Sequence, residues 1–390
     1  MTFGSRRVIV GVVATACVWI LSVTLVTGQA APPQAPVTAA EDRRMSEAVF
    51  KNVQVLRGIP VDEFMGTMGV FSAALGFSCE DCHTASSNDW ANYATDTSPR
   101  KQMARRMVVM TAALNRANFG GRQVVTCFTC HRGSNQPKVT ASLDMLYAPA
   151  SLNEEPDGPI FQMDGAAAAE KILDKYLQAL GGAQRVAALT SYVAKGTYGG
   201  YGPDSERRPV EIYAKAPGQR AVVVRDPTAG DAVTTFDGTA GAWIAAPFRP
   251  VDVLTLHGAE VDAVKVEAHL AFPARIKETL TGWRVGLPAT IEGRQTSVVQ
   301  GTSGGALATL YFDDETGLLT RLVRSTPSPV GPLPSRIDYS DYRDVAGVKV
   351  PFKWTTTWLD GRSTYELSGV QPNTAIPAAR FARPAPPKPY

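Results

Sequence analysis

Two Cys-x-x-Cys-His motifs, Cys79-Glu80-Asp81-Cys82-His83 and Cys127-Phe128-Thr129-Cys130-His131, are the residues of this chain whose types and spacing could do chemistry. Two cysteines separated by two residues can each add across a vinyl group of one haem. The histidine that follows is then held close enough to ligate the iron, so the porphyrin itself sets the spacing. Three other chemistries use the same letters. A thioredoxin-like redox pair is expected beside a βαβ pattern, whereas both motifs here sit among helical segments. A zinc site needs its thiolates to converge and leaves the repeated histidine without a reason. A disulfide inside each motif would close a short, strained ring that rarely serves as a structural staple. The expectation is therefore two covalently bound c-type haems, with Cys79, Cys82, Cys127 and Cys130 as anchors and His83 and His131 on the haem iron.

The remaining cysteine supports that expectation by its position. Residues 1–30 have a basic pair, Arg6-Arg7, an apolar or small-residue run of 19 residues from Val8 to Val26, and small residues at Gly28 and Ala30. This is the layout of an export signal cut after Ala30, and it is also long enough to be an uncleaved membrane anchor. Cys17 as a lipoprotein cysteine fits poorly, because no leucine precedes it at the usual place and apolar residues continue beyond it. Each alternative puts the body of the protein in the periplasm, with membrane association through the N-terminus if the segment stays. An exported chain would use spare cysteines as disulfides, yet beyond residue 30 only the four motif cysteines remain of five.

Iron with one protein histidine leaves a second axial position. Of four histidines, His83 and His131 are committed, and His257 and His269, far along the chain, read as a surface and a core histidine. Methionines are better placed: Met65 and Met68 share one helical face, and Met103, Met107 and Met110 share another. Methionines at that spacing also fill cores, and spacing alone leaves the choice among them open.

The elements that must carry these residues are helical up to the second motif. "MSEAVFKNVQVL" reads as a first helix. A second opens at Pro60, with Asp62 and Glu63 in its first turn, and stops at Gly76; a third opens at Ser98-Pro99 and stops before Gly120-Gly121. Helix, glycine turn and motif thus recur twice. Residues 43–135 make up this helical segment, and the proline-bearing stretch 136–165 is expected to be a linker. Within 166–376, Ala166 to Leu180 is an amphipathic helix stopped by Gly181-Gly182, and everything beyond it reads as strands joined by turns. The expected fold is α+β in two domains. A helical dihaem cytochrome c domain is followed by an antiparallel half-barrel or curved sheet of about ten strands with one packing helix, then a proline-rich tail, 377–390. Asp313, Asp314 and Asp344 are expected to be turn formers, and no nucleophile–base pair or phosphate loop stands out.

The stretch "EFMGTMGVFSAALGFSCEDCH…RRMVVMTAALNRANFGGRQVVTCFTCHRG" resembles the cytochrome c subunit of photosynthetic reaction centres, over about Met45 to Gly133. That family consists of periplasmic multihaem proteins that re-reduce the photo-oxidised special pair, with methionine sixth ligands on the helix before each motif. Matching its Thr-Met and Arg-Arg-Met implies Met68 and Met107 as axial ligands, with Met65 and Met110 as the neighbouring alternatives. The best-known members carry four haems, whereas only the first pair of motifs is present here. A histidine that in them ligates a distant haem has no counterpart in "NRANFGGRQVV". The later part is similar, through "LYFDDETGLLTRL" and "YRDVAGVKVPF", to lipoprotein-carrier-like half-barrels of exported bacterial proteins.

With 39 Lys and Arg against 36 Asp and Glu and no block of like charge, nothing points to nucleic acid. The expectation is a periplasmic electron carrier rather than an enzyme. It would pass single electrons to redox partner proteins, either a membrane reaction centre or a soluble cytochrome, while its sheet docks a partner or a lipid-like ligand. Arg132 is placed to pair with a haem propionate. The rivals are a dihaem peroxidase-like enzyme with one open iron site, and a haem-bearing envelope carrier or sensor.

Overall fold

The computed structural model describes residues 43–83, 92–140, 165–200, 206–247 and 249–387, apart from the side chains of 165–167. The N-terminal apolar segment and residues 141–164 of the expected linker lie outside them. Described residues from Arg43 onward belong to one compact unit. Among the described residues no helix is long and apolar enough to cross a membrane.

The first expected helix is cut to a single turn, α1 (Ser46–Val49). Phe50 leaves it in an extended conformation and Asn52 adopts φ 61, so the chain doubles back until Met45 bridges Pro60. The Ser46 hydroxyl donates to Leu56 O at 2.6 Å and fixes that return. Helix α2 (Val61–Leu75) has Pro60 as its N-cap, one position earlier than the expected first-turn site. It ends at Gly76 in the left-handed region (φ 67), which a glycine enters without steric cost. One-turn α3 (Cys79–Cys82), long α4 (Pro99–Phe119) and one-turn α5 (Cys127–His131) follow. Pro99 at N1 and Gly120 past the end bound α4 as its sequence implies.

Helices α6 (Gly165–Ala179) and α7 (Ala183–Ala188) lead into the strands. These are β1 (Ser191–Gly199), β2 (Arg207–Lys215), β3 (Gln219–Val224), β4 (Ala232–Phe236), β5 (Ala242–Ala245), β6 (Val253–Thr255), β7 (Thr281–Val285), β8 (Ala289–Ile291), β9 (Arg294–Ser303), β10 (Ala306–Asp313), β11 (Leu319–Thr326), β12 (Leu333–Val345), β13 (Val348–Trp358) and β14 (Gly361–Pro372). They form one open, curved antiparallel sheet in the order β6-β5-β4-β3-β2-β1-β14-β13-β12-β11-β10-β9-β7, with β8 paired to β9. Fourteen strands replace the expected ten because β5, β6 and β8, of three or four residues, are too short to display alternation.

Two further helices interrupt the strands, α8 (Ala259–Leu270) and α9 (Ile276–Thr279). The valines at 261, 264 and 266 give α8 the β-branched texture of a strand, but its buried Ala263 and Val266 lie three apart, on one helical face. On the sheet's inner face, Ala169, Leu173, Tyr176 and Leu177 of α6 pack with Ile212, Leu310, Phe312 and Leu322 in the main core. Asp313 and Asp344 accept from backbone N–H groups two or three residues on, as turn formers do. Asp314 instead accepts from Ser297 Oγ across the strands at 2.5 Å. Past the sheet, Ile376 and Phe381 pack against Ala221, and Arg380 lies 4.4 Å over the Tyr213 ring, so the tail is anchored at least to residue 381.

The helical segment is seated directly on this sheet. Leu56, Val70, Ala74, Val108 and Cys127 share a small core with Val330, and Leu333 and Leu359 pack against it. Burial of side chains this size stabilises by about 1.5–3 kcal/mol each at most. Gly66 and Gly69 make the close approach possible. A Cβ on Gly66 would come within 2.8 Å of Leu333, and one on Gly69 would touch Leu359 and Asp360. At the other end of α2, buried Asp62 accepts from the backbone N of His257 at 2.6 Å and from its Nδ1 at 3.2 Å. His257 is therefore a joint between the two segments, where the sequence suggests only a surface or core residue. His269 is half-buried, and burial pushes its pKa down.

Candidate functional site

Each motif folds as one helical turn with its own cap. Ser78 and Asp81 form a capping box at α3, with Ser78 N donating to Asp81 Oδ2 at 2.9 Å. Thr126 and Thr129 do the same at α5, Thr129 N donating to Thr126 Oγ1 at 3.3 Å. In both turns the cysteines stand at i and i+3 and so share a face. All four are free thiols; Cys79 and Cys130 are exposed, Cys82 half-buried and Cys127 buried.

The two histidines are held alike. His83 Nδ1 lies 3.0 Å from Tyr93 O, and His131 Nδ1 lies 3.0 Å from Ser134 O. A carbonyl oxygen can only accept, so each Nδ1 carries the proton and each Nε2 presents its lone pair, the arrangement of a metal-ligating histidine. The His83 ring stacks on Tyr93, with centroids 4.6 Å apart and planes 15° apart, and burial pushes its pKa down, which favours the neutral imidazole.

Cys79, Cys82 and Cys127 lack the activation of a redox thiol. Burial pushes Cys79, Cys82 and Cys127 above the usual thiol range, whereas a dithiol nucleophile needs a lowered pKa. Among the described residues no group of three or more His, Cys, Asp or Glu is gathered to hold a metal ion, so the thiols do not converge as a zinc site requires.

The halves of the segment interleave. The second motif follows α4 in sequence but docks on α2, with Gly133 N donating to Ala74 O at 2.9 Å. The first motif docks on the start of α4, where Arg100 Nη1 meets Asp81 Oδ1 at 2.9 Å and the guanidinium lies 4.7 Å over Phe77. Gly76 is the tight point. A Cβ there would stand 2.6 Å from Gly133 O, in a backbone conformation that side chains avoid. Gly76→Ala should cost about 1–3 kcal/mol and loosen the second motif. Thermal denaturation checks this, and an unchanged melting temperature would count against the docking.

Buried Asn115 on α4 shapes the entry to the second motif: its Oδ1 accepts from Val124 N and Val125 N and its Nδ2 donates to Val125 O. Gln123 Nε2 donates to Ser328 O at 2.9 Å and Cys127 N to Val330 O at 3.4 Å, tying that entry to the β11–β12 turn. Neither Asn115 nor Tyr93 is marked by any motif; an asparagine five residues before a glycine pair is the faint signal that was there.

The methionines divide by exposure. On α4, Met103 and Met110 are 49% and 47% exposed, while Met107 is half-buried. On α2, Met65 and Met68 are both half-buried, and Met68 packs against the small core that includes Cys127. Phe128, between the cysteines of the second motif, is 56% exposed. Arg132 is exposed, in the left-handed region at the end of α5; its backbone N donates to Phe128 O, and its side chain has no partner among the described residues. The free thiols paired on one-turn helices, the two Nε2 lone pairs and the exposed apolar Met103, Met110 and Phe128 are donors and surface that fit a flat iron porphyrin.

Residues 8–178 match the family model for the photosynthetic reaction centre cytochrome C subunit. The chain is 32% identical over 149 residues to the photosynthetic reaction center cytochrome c subunit of Rubrivivax gelatinosus, covering 37% of either chain. It is 36% identical over 95 residues to that of Thermochromatium tepidum, covering 23% of this chain and 22% of the relative. The chain thus spans from about a fifth to little more than a third of the curated relatives it matches. Among solved structures it is similar to a putative outer membrane lipoprotein-sorting protein domain from Vibrio parahaemolyticus and to a LolA superfamily protein from Nitrosomonas europaea. Identities are 10% and 14%, with 54% and 55% of this chain and 97% of each neighbour covered, at TM-scores of 0.37 and 0.36.

Proposed function

We propose, from the similarity of its first half to reaction centre cytochrome c subunits, that this chain is a periplasmic dihaem c-type cytochrome that passes single electrons between redox partner proteins. The observation that carries it is the shared setting of His83 and His131. Both Nδ1 protons are held by backbone carbonyls, leaving two Nε2 lone pairs, each on the residue that follows a pair of free thiols.

Cys79 and Cys82 would hold one haem by thioether bonds and Cys127 and Cys130 the other. Bound haem supplies an iron that cycles between ferric and ferrous states and so carries one electron. Tyr93 O and Ser134 O orient the proximal rings and hold a proton on each Nδ1, which would leave Nε2 to meet the iron. Met68 and Met107 are the proposed distal ligands, with Met65 and Met110 as alternatives; the lower exposure of Met107 than of Met103 or Met110 supports its choice. Arg132, unpartnered, is free to meet a propionate. A membrane reaction centre is the partner that the relatives' names suggest, and a soluble cytochrome serves the same chemistry.

The purified holo-protein should carry two covalent haems per chain by mass and show low-spin spectra. A high-spin iron, or one that binds carbon monoxide readily, would overturn the electron-carrier proposal in favour of an enzyme. Met68→Ala and Met107→Ala should each remove half of the sulfur-to-iron charge-transfer absorbance and lower one midpoint potential, since thioether ligation favours ferrous iron. Full absorbance in both variants would refute the ligand assignment.

A further inference from the structure

The inner face of the sheet and α8 enclose a cavity of about 300 Å³, at the small end of ligand-site volumes. None of the four motif cysteines lines it, nor does either motif histidine. We propose that it binds a neutral, flat, carbonyl-bearing ring of the quinone class, held through Arg220.

Arg220 is the reason for a ligand. It points from β3 into the cavity, its Nε is buried without a partner, and its guanidinium makes no hydrogen bond among the described residues. Its nearest charge is Glu267 Oε2, 3.7 Å from Nη1, which is ion-pair distance but too long for a hydrogen bond. Glu267 is already taken by Arg324, whose Nε meets Oε1 at 2.6 Å. A buried donor left unmade costs about 1–3 kcal/mol, and an acceptor oxygen on a ligand would recover it.

The charges of the wall decide that the ligand is neutral. Arg220 and Arg324 face Glu260 and Glu267, so the buried charge sums to zero, and Lys349 at the lining is exposed to solvent. A carboxylate or phosphate would bring an unbalanced charge into this site, at a penalty of several kcal/mol per ion. A carbonyl oxygen accepts from Arg220 without it.

The shape of the wall decides that the ligand is a ring. Eight lining residues are aromatic, and Trp354 stacks on Tyr365 with centroids 4.9 Å and planes 13° apart, offering a flat surface. Tyr339, Trp354, Tyr365 and Tyr198 stand in register on adjacent strands β12, β13, β14 and β1, which puts one row of rings on the cavity face. Two long acyl chains would need more volume and gain nothing from such planes.

The probe is decylubiquinone, titrated calorimetrically into the full-length holo-protein. One saturable equivalent is expected, with no displacement by palmitate or dioleoylglycerol. Arg220→Leu should weaken binding at least tenfold, as loss of a charge-assisted hydrogen bond does. Arg220→Lys keeps the charge opposite Glu267, and with it the fold, but loses the planar donors and should weaken binding severalfold. Absence of saturable binding, displacement by either lipid, or unchanged affinity in both variants would overturn the proposal. Because haem content is read separately from the spectrum, failure here leaves the cytochrome proposal standing, and the reverse also holds.

Discussion

Serine at both Cys127 and Cys130 should leave the chain with one covalent haem instead of two, and should also destabilise the protein; serine at Cys79 and Cys82 should remove a haem at much smaller cost to the fold. Loss of a haem follows from the chemistry, since a hydroxyl does not add to a vinyl group as a thiol does. The asymmetry follows from burial. Cys127 is 7% exposed in a core with Val70, Ala74, Val108 and Val330, whereas Cys79 is exposed and Cys82 half-buried. A serine hydroxyl placed among those side chains without a partner costs about 1–3 kcal/mol. Intact mass and the haem spectrum of the denatured chain count the haems, and thermal melting reads the stability. Two haems retained in either double variant would show that its motif is not an attachment site.

Asp62→Ala should be the most destabilising single change outside the motifs, by about 2–4 kcal/mol, because it strands the buried N–H groups of His257 that Asp62 now accepts. The Asp62 side chain is 3% exposed, so water cannot easily replace it. Asp62→Asn keeps one acceptor and should lose less. Urea denaturation distinguishes these outcomes, and an alanine variant as stable as the parent would mean that this joint contributes nothing. A loss confined to the helical segment would be equally telling, since His257 belongs to the strand side of the contact.

The two motifs stand out in the sequence because their spacing is the one that covalent haem attachment would dictate. Nothing comparable marks Tyr93, Asn115 or Asp62, whose roles arise only when distant segments meet. The ends of α2 and α4 were legible from Gly76, Pro99 and Gly120, each a backbone preference independent of context. The helix expected over "MSEAVFKNVQVL" failed after one turn, because nothing in the local pattern shows that Met45 must return to Pro60. In α8 the strand-like valines outweighed a helical face carried largely by alanines. The long hairpins were evident from their turns, while the shortest strands were visible only as partners of others. Among the methionines helical spacing left the choice open, and their unequal exposure on α4 is a property of the packed chain.

The groups that receive the second motif and the start of α2 come late in the chain. Gln123 waits for Ser328, 205 residues on, and Asp62 waits for His257, 195 residues on. Contacts of such sequence separation form slowly, because the loop must close before they reward it. Both cysteine pairs therefore emerge long before the surfaces that finally bury α2 and α5. Cys127, which shares a core with Val330 in the folded chain, is open to covalent modification until β11 and β12 arrive, whereas Cys79 and Cys130 stay exposed throughout. A fragment ending near residue 140 would keep every haem-binding letter and none of these partners, so its haems should sit in a softer, more solvent-exposed setting than those of the whole protein.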